Sequence, residues 1–100
     1  MARAARPRPV DRRGFLHGQW AGVVEIASFL VQVRPERLDA VARAIASLPG
    51  AEVHQRDARG KLVVVVEAAD AGGIAERLDA IAQLPGVLTA ALVFHATDDA

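Results

Sequence analysis

Apolar and polar positions recur with two different periods along the first half of this chain. Residues 23–33 are rich in apolar and β-branched side chains and stop at Arg34-Pro35, a pattern typical of a strand that leads into a helix. Between residues 35 and 47 the apolar positions recur every three or four residues, which predicts an amphipathic helix. That helix is predicted to end at Leu48-Pro49-Gly50.

The second half repeats the alternation of strand and helix. Residues 51–56 alternate apolar and polar side chains, and residues 57–60 supply a turn into the apolar run 61–67, so a β-hairpin is predicted. Asp70 is suited to cap a second helix, which ends at another Leu-Pro-Gly. Residues 87–95 predict a fourth strand.

The two halves also resemble each other in sequence. Glu36-Arg37-Leu38-Asp39-Ala40 recurs as Glu76-Arg77-Leu78-Asp79-Ala80, which indicates a β-α-β unit present twice. Two such units with right-handed crossovers predict an α+β, ferredoxin-like βαββαβ sandwich whose antiparallel sheet has the order 4-1-3-2 and carries both helices on one face. We expect the domain to span residues 22–96, between disordered tails at 1–21 and 97–100.

Because side chains alternate across a strand, choosing one face fixes the other. The face toward the helices is predicted to carry Phe29, Val31, Val33, Val53, Leu62, Val64, Val66, Leu88, Leu92 and Phe94. The open face is predicted to carry Ile26, Ser28, Leu30, Gln32, Glu52, His54, Arg56, Val63, Val65, Glu67, Thr89, Ala91, Val93 and His95.

The predicted open face has an apolar centre with a polar margin. Leu30, Val63, Val65, Ala91 and Val93 form a strip, and Glu52, His54, Glu67 and His95 surround it. A continuous apolar strip beside carboxylates suits an amphipathic, cationic partner. The alternative is that the sheet tolerates exposed valines, or covers them in a weak homodimer through this face.

Composition and charge narrow the class of protein. Cysteine is absent, which suits a reducing compartment, and we expect a cytoplasmic location. Residues 1–20 hold five Arg against one Asp, a net charge of +4, whereas residues 21–100 have a net charge of −4. An acidic body disfavours nucleic-acid binding, and no apolar run is long enough to span a bilayer.

The sequence offers little chemistry for catalysis. His17, His54 and His95 lack the spacing of a metal site, and no nucleophile with its base can be recognised, so we expect no enzyme activity and no cofactor. Other activities of this fold need an Asn amide, paired cysteines or exposed aromatic rings, none of which the sequence provides in place. An amino-acid-sensing regulatory domain acting as a dimer remains the alternative function.

A series of segments resembles the NapD family, the maturation chaperones of periplasmic nitrate reductase. The resemblance extends from about residue 25 to 95 through the following runs: Ser28-Phe29-Leu30-Val31-Gln32-Val33, Leu48-Pro49-Gly50-Ala51-Glu52-Val53, Gly60-Lys61-Leu62-Val63-Val64-Val65-Val66-Glu67-Ala68, Pro85-Gly86-Val87-Leu88 and Ala91-Leu92-Val93-Phe94-His95. It implies a cytoplasmic chaperone that binds the twin-arginine signal peptide of the catalytic subunit, NapA, and delays export until the molybdenum cofactor is inserted. The open-face strip would then hold the apolar part of the peptide, and Glu67 and Glu52 its arginines.

The N-terminal tail departs from a simple solvated terminus. Asp11-Arg12-Arg13-Gly14-Phe15-Leu16-His17 itself resembles a twin-arginine motif, with Asp in place of the usual Ser or Thr and His in place of the common Lys. Gln19 and Glu25 interrupt the apolar region that an export signal needs, and no cleavage site follows. We therefore expect Arg12, Arg13, Phe15 and Leu16 to mimic the client's signal peptide, or to form part of an unrelated Arg-rich tail.

Overall fold

The structure is a computed structural model that describes residues 23–99, and it contains the six predicted elements in the predicted order. They are β1 (Val23–Val33), a 3-10 turn (Pro35–Arg37) leading into α1 (Leu38–Ala46), β2 (Ala51–Asp57), β3 (Lys61–Ala68), α2 (Ala71–Ala82) and β4 (Val87–Asp99). All strand pairs are antiparallel and the sheet order is β2-β3-β1-β4. This is the predicted 4-1-3-2 order, and the predicted fold class is confirmed.

One face of the sheet forms the core with the two helices. Phe29 and Leu62 from the central strands, together with Ile45 of α1 and Ile81 of α2, are fully buried there. The alternation predicted for the two central strands is confirmed, since the residues assigned to the helix side are all buried: Phe29, Val31, Val33, Leu62, Val64 and Val66. Val53 of β2 is partly buried against the same core.

The second helix begins as the sequence predicts. Asp70 is its N-cap residue, and its carboxylate Oδ1 accepts a hydrogen bond of 2.8 Å from the backbone N–H of Gly73. Gly73 also lies so close to β3 that a Cβ atom there would be 2.8 Å from the Cβ of Ala68. Glycine at this position therefore lets α2 pack against the end of β3.

The hairpin between β2 and β3 is fixed to the end of β1 through Gly60. This residue has φ +105°, its N–H donates to the Asp57 carbonyl, and its carbonyl accepts from the Val33 N–H, both at 2.8 Å. A Cβ atom at Gly60 would lie 2.3 Å from the Val33 carbonyl oxygen. Only glycine suits both the backbone conformation and this close approach.

The last strand is longer than the sequence pattern suggests. A disordered tail was expected at residues 97–100, but β4 continues to Asp99 and pairs with the beginning of β1, Val24 opposite Asp98. The Thr97 hydroxyl donates to both carboxylate oxygens of Glu25, at 3.1 and 3.2 Å. Backbone pairing and this side-chain bond extend the strand without any apolar alternation, which is why the pattern did not predict it.

A bulge in β4 reverses the predicted faces at the end of this strand. Ser28 pairs with Phe94 whereas the next residue, Phe29, pairs with Leu92, so Val93 is an extra residue in the ladder. Phe94 was assigned to the core but lies on the open face, 57% exposed. His95 was assigned to the open face but lies opposite Ala27, on the helix side. Both assignments were wrong because one extra residue exchanges the two faces of a strand.

A second irregularity of β4 removes two more residues from the predicted core. Gln32 pairs with Thr89 and Val33 with Val87, which leaves Leu88 as an extra residue with most of its side chain exposed. Leu92 stays on the helix side opposite Phe29 but is 44% exposed, because β4 is an edge strand. The part of β4 that packs against the core consists of Val87 and Ala90.

A bulge in β2 changes the faces of that strand in the same way. Val53 pairs with Val64 and Gln55 with Val63, so His54 is the extra residue. Arg56, assigned to the open face, lies opposite Leu62 on the helix side, where its guanidinium forms an ion pair with Asp39 of α1. Gln55 takes the place on the open face that the regular alternation gave to Arg56.

Candidate functional site

Both helices lie on one side of the sheet, so within residues 23–99 the opposite face carries no helix, and we call it the open face. The strand register places on it nine of the residues that were predicted to bind: Ile26, Ser28, Leu30, Gln32, Glu52, Val63, Val65, Glu67 and Ala91. Val93 and His54 are the extra residues of bulges, and His95 lies on the other side. The predicted tail residues Arg12, Arg13, Phe15 and Leu16 lie outside the described residues.

The apolar side chains of the open face form neighbouring rows across the strands. Leu30 lies between Val63 of β3 and Ala91 of β4, and in the next row Ser28 lies between Val65 and Phe94. Side chains directly opposite one another on adjacent strands have Cβ atoms about 5 Å apart, so these rows form one surface. We define the apolar strip by its residues, which are Ile26, Leu30, Val63, Val65, Ala91 and Phe94.

Two carboxylates lie at one end of this strip. Glu67 is opposite Ile26, and Glu52 is opposite Val65, so the two glutamates occupy diagonal positions on adjacent strands. Glu52 is exposed, whereas Glu67 is only 2% exposed. We refer to this pair as the acidic corner.

The Leu48-Pro49-Gly50 turn positions the backbone of the acidic corner. Gly50 has φ +77°, and its carbonyl oxygen accepts a hydrogen bond of 2.9 Å from the Glu67 N–H. A Cβ atom at this glycine would lie 2.3 Å from the Glu67 carbonyl oxygen. The turn that the sequence shows as a helix stop therefore also fixes the strand segment that carries Glu67.

The opposite end of the open face is polar, with Asp57 of β2 opposite Lys61 of β3. A shallow depression of about 400 Å³ lies there, lined by Leu30, Gln55, Arg56, Asp57, Lys61 and Val63. The Asp57 carboxylate is held by Arg59, whose Nη2 is 3.0 Å from Oδ2 and whose backbone N–H is 2.8 Å from Oδ1. These hydrogen bonds lower the pKa of Asp57 from 3.8 to about 2. The open face thus runs from an acidic corner through an apolar strip to Lys61.

His95 has a local partner instead of a place on the open face. Its Nε2 lies 2.7 Å from Oε1 of Glu25, which also accepts from the Thr97 hydroxyl. All three side chains lie on the helix side of the sheet, where β4 pairs with the first residues of β1. This cluster joins the two strand ends and does not extend the apolar strip.

Two further properties concern the described part of the chain as a whole. Between residues 23 and 99, no group of three or more His, Cys, Asp and Glu side chains is arranged to hold a metal ion. In the same range, neither helix is long and apolar enough to cross a membrane.

A ferredoxin-like domain whose sheet, within residues 23–99, carries both helices on one face and an apolar strip on the other has the architecture of a small binding protein, and comparisons with known proteins identify which kind. The family model described as NapD protein matches residues 24–99. The chain therefore belongs to the NapD family, as its sequence resemblance implied, and its role is that of a chaperone.

Individual relatives agree with this assignment. The chain is 32% identical over 85 residues to the chaperone NapD of Escherichia coli K12, covering 84% of this chain and 93% of that protein. It is 38% identical over 94 residues to the chaperone NapD of Paracoccus pantotrophus, covering 87% and 83%. The solution structure of the E. coli Tat proofreading chaperone protein NapD superposes with a TM-score of 0.69 at 34% identity, covering 73% of this chain and 78% of that one.

Proposed function

We propose that this chain is a cytoplasmic chaperone that binds the twin-arginine signal peptide of the nitrate reductase catalytic subunit, NapA, on its open face. Binding would withhold the signal peptide from the export machinery until the molybdenum cofactor has been inserted. The observation that carries this proposal is the acidic corner directly beside the apolar strip. A twin-arginine signal peptide has the matching order, an arginine pair followed by an apolar segment.

The acidic corner would receive the arginine pair. Arginine donates charge-assisted hydrogen bonds to carboxylates in a planar, often bidentate geometry, and such bonds are stronger than those between neutral groups. The Glu67 carboxylate is largely shielded from water, at 2% exposure, so an ion pair formed there would be less screened by salt. Glu52 would provide a second, exposed carboxylate at a diagonal position.

The apolar strip would hold the segment that follows the arginines. An amphipathic helix lies in a hydrophobic groove through side chains spaced three and four residues apart, and this recognition is driven by apolar burial. Phe94 adds an aromatic ring beside the row of Ser28 and Val65, in a position that the regular alternation did not assign to this face. Gln32 and Thr89, opposite one another at the far end, are available to polar groups of the peptide.

The proposal is tested by titrating a synthetic NapA signal peptide into ¹⁵N-labelled protein. We expect the largest amide shifts in open-face residues such as Ile26, Val65 and Phe94, and small shifts in α1. A matched peptide with both arginines replaced by glutamine should bind more weakly, because it cannot form ion pairs with the acidic corner. Shifts confined to the helices, or equal affinity for both peptides, would contradict the proposed site.

The alternative function, amino-acid sensing, predicts a different response. A ligand that binds only the native state raises the melting temperature in proportion to the logarithm of its concentration. We expect the signal peptide to do so and free amino acids to leave the melting temperature unchanged. Stabilisation by a free amino acid but not by the peptide would favour the sensing function.

A further inference from the structure

The proposed function leaves one sequence feature unexplained, which is the twin-arginine-like segment at residues 11–17 of the chaperone's own chain. We propose that Arg12, Arg13, Phe15 and Leu16 bind to the acidic corner and apolar strip of the same molecule and compete with the client signal peptide. This inference rests on the proposed function of the open face, and it adds regulation of that site by the tail.

The connection between the tail and the sheet makes this contact sterically feasible. The chain enters the sheet at Val23, the first residue of β1, and Ile26 lies opposite Glu67 of the acidic corner. Six residues, 17–22, separate Leu16 from Val23, and a chain of that length reaches at most about 20 Å. Since adjacent strands are about 5 Å apart, the segment can reach Glu67 on β3 and Glu52 on β2.

The side chains of the segment are complementary to the acidic corner and the apolar strip, which lie near Val23. Its arginine pair fits the acidic corner, and Phe15 and Leu16 fit the strip that begins at Ile26. In the segment the arginines come before Phe15 and Leu16. The open face has the same order, since the acidic corner lies at the end where β1 begins and the strip continues from Ile26 toward Leu30.

Charge attraction and tethering both favour binding of the tail segment to the open face. Residues 1–20 carry a net charge of +4 and residues 21–100 a net charge of −4, so the two parts attract each other. A short tether gives the segment an effective concentration in the millimolar range. A tail whose own dissociation constant is about tenfold below that concentration would weaken client binding about tenfold.

The test compares two full-length variants that remove the same charge from the same tail. R12Q/R13Q removes the arginine pair of the motif, and R6Q/R8Q removes two arginines outside it. Calorimetric titration with a synthetic NapA signal peptide should show R12Q/R13Q binding about three- to tenfold more tightly than the natural sequence, with R6Q/R8Q within about twofold of it. The gain should shrink in 0.5 M salt, where charges are screened. Equal affinity of all three proteins, or equal gains from both variants, would overturn specific competition by the motif.

A second measurement does not need the client. In spectra without peptide, the amides of Ile26, Val65 and Glu67 should differ between R12Q/R13Q and the natural sequence, and the difference should not change when the protein is diluted. No difference would overturn docking of the tail, and a difference that disappears on dilution would place the tail on a second copy instead. If the client peptide binds none of the proteins, the proposed function fails, while this comparison still decides whether the tail occupies the open face.

Discussion

Ser28 of β1 lies directly opposite Phe94 of β4, and this pairing puts an aromatic side chain on the open face. The arrangement depends on the extra residue Val93, since Phe29 pairs with Leu92 on the other side of the bulge. Without the bulge, Phe94 would face the helices and His95 would face outward. A local irregularity thus determines whether the proposed peptide-binding surface contains an aromatic residue.

The first prediction concerns this ring. Phe94→Ala should weaken binding of the NapA signal peptide about tenfold, because exposed aromatic residues contribute strongly to interfaces, and it should change the free energy of unfolding by less than about 1 kcal/mol. Leu88→Ala is the matched control, because Leu88 is equally exposed, at 57%, but belongs to the other irregularity of β4. It should leave peptide affinity within about twofold. A larger loss of affinity in the Leu88 variant would show that the peptide contacts a different part of β4.

The regular strands of the sheet could be predicted from sequence, and the bulges could not. β1 and β3 alternate strictly where they pair with each other, so the buried positions from Phe29 to Val33 and from Leu62 to Val66 follow from the pattern. In β2 and β4, His54 and Val93 add one residue to the ladder. Nothing in the order of apolar and polar residues marks these positions, because a bulge is determined by pairing with the neighbouring strand.

Contacts between distant residues of the chain also escaped prediction. Arg56 looked like an open-face cation, but its strand position after the bulge brings it to Asp39 of α1. The acidic corner was predicted, because Glu52 precedes the β2 bulge and Glu67 lies on a regular strand. The sequence therefore predicted the site residues that lie on regularly paired strand segments, and it missed the positions that depend on a bulge.

The second prediction uses two adjacent valines of β3. Val64 is fully buried against the helices, whereas Val65 is partly exposed on the open face. Val64→Asp should abolish cooperative unfolding, because an unpaired charge in the core costs several kcal/mol of a total stability of about 5–15 kcal/mol. Val65→Asp should retain the fold but bind the signal peptide at least tenfold more weakly, since the charge is desolvated only in the complex. Thermal unfolding by circular dichroism and calorimetric titration measure the two effects, and the opposite outcome would mean that the β3 faces are exchanged.

The third prediction concerns the hairpin turn. Gly60→Ala would place a side chain on a backbone with φ +105° and a Cβ atom 2.3 Å from the Val33 carbonyl oxygen. We therefore expect the free energy of unfolding to fall by about 2 kcal/mol and the melting temperature to fall by about 10 °C. Gly72→Ala is the control, because the nearest atom to its added Cβ is Oδ1 of Asp70 at 3.4 Å and the residue lies in α2. Alanine is the better helix former, so that variant should melt at the same temperature or a few degrees higher. A Gly60 variant as stable as the natural sequence would contradict the turn geometry.

The fourth prediction concerns the Asp57 carboxylate at the polar end of the open face. Its pKa is lowered to about 2, first by hydrogen bonds from the Arg59 side chain and next by the bond from the Arg59 backbone N–H, with smaller contributions from the charges of Arg59 and Lys61. Arg59→Gln removes the ion pair but keeps the backbone bond, so the pKa should rise part of the way toward its ordinary value of 3.8. Lys61→Gln, the control, should move the pKa of Asp57 much less.

Because the pKa of Asp57 is lower in the folded state, ionised Asp57 stabilises the fold above about pH 4, and this contribution disappears as the pH falls toward 2. The Arg59 variant should therefore lose less stability than the natural sequence over that range. Carboxyl ¹³C titration of Asp57 measures the shift directly, and an unchanged pKa in the Arg59 variant would exclude that side chain as the main cause.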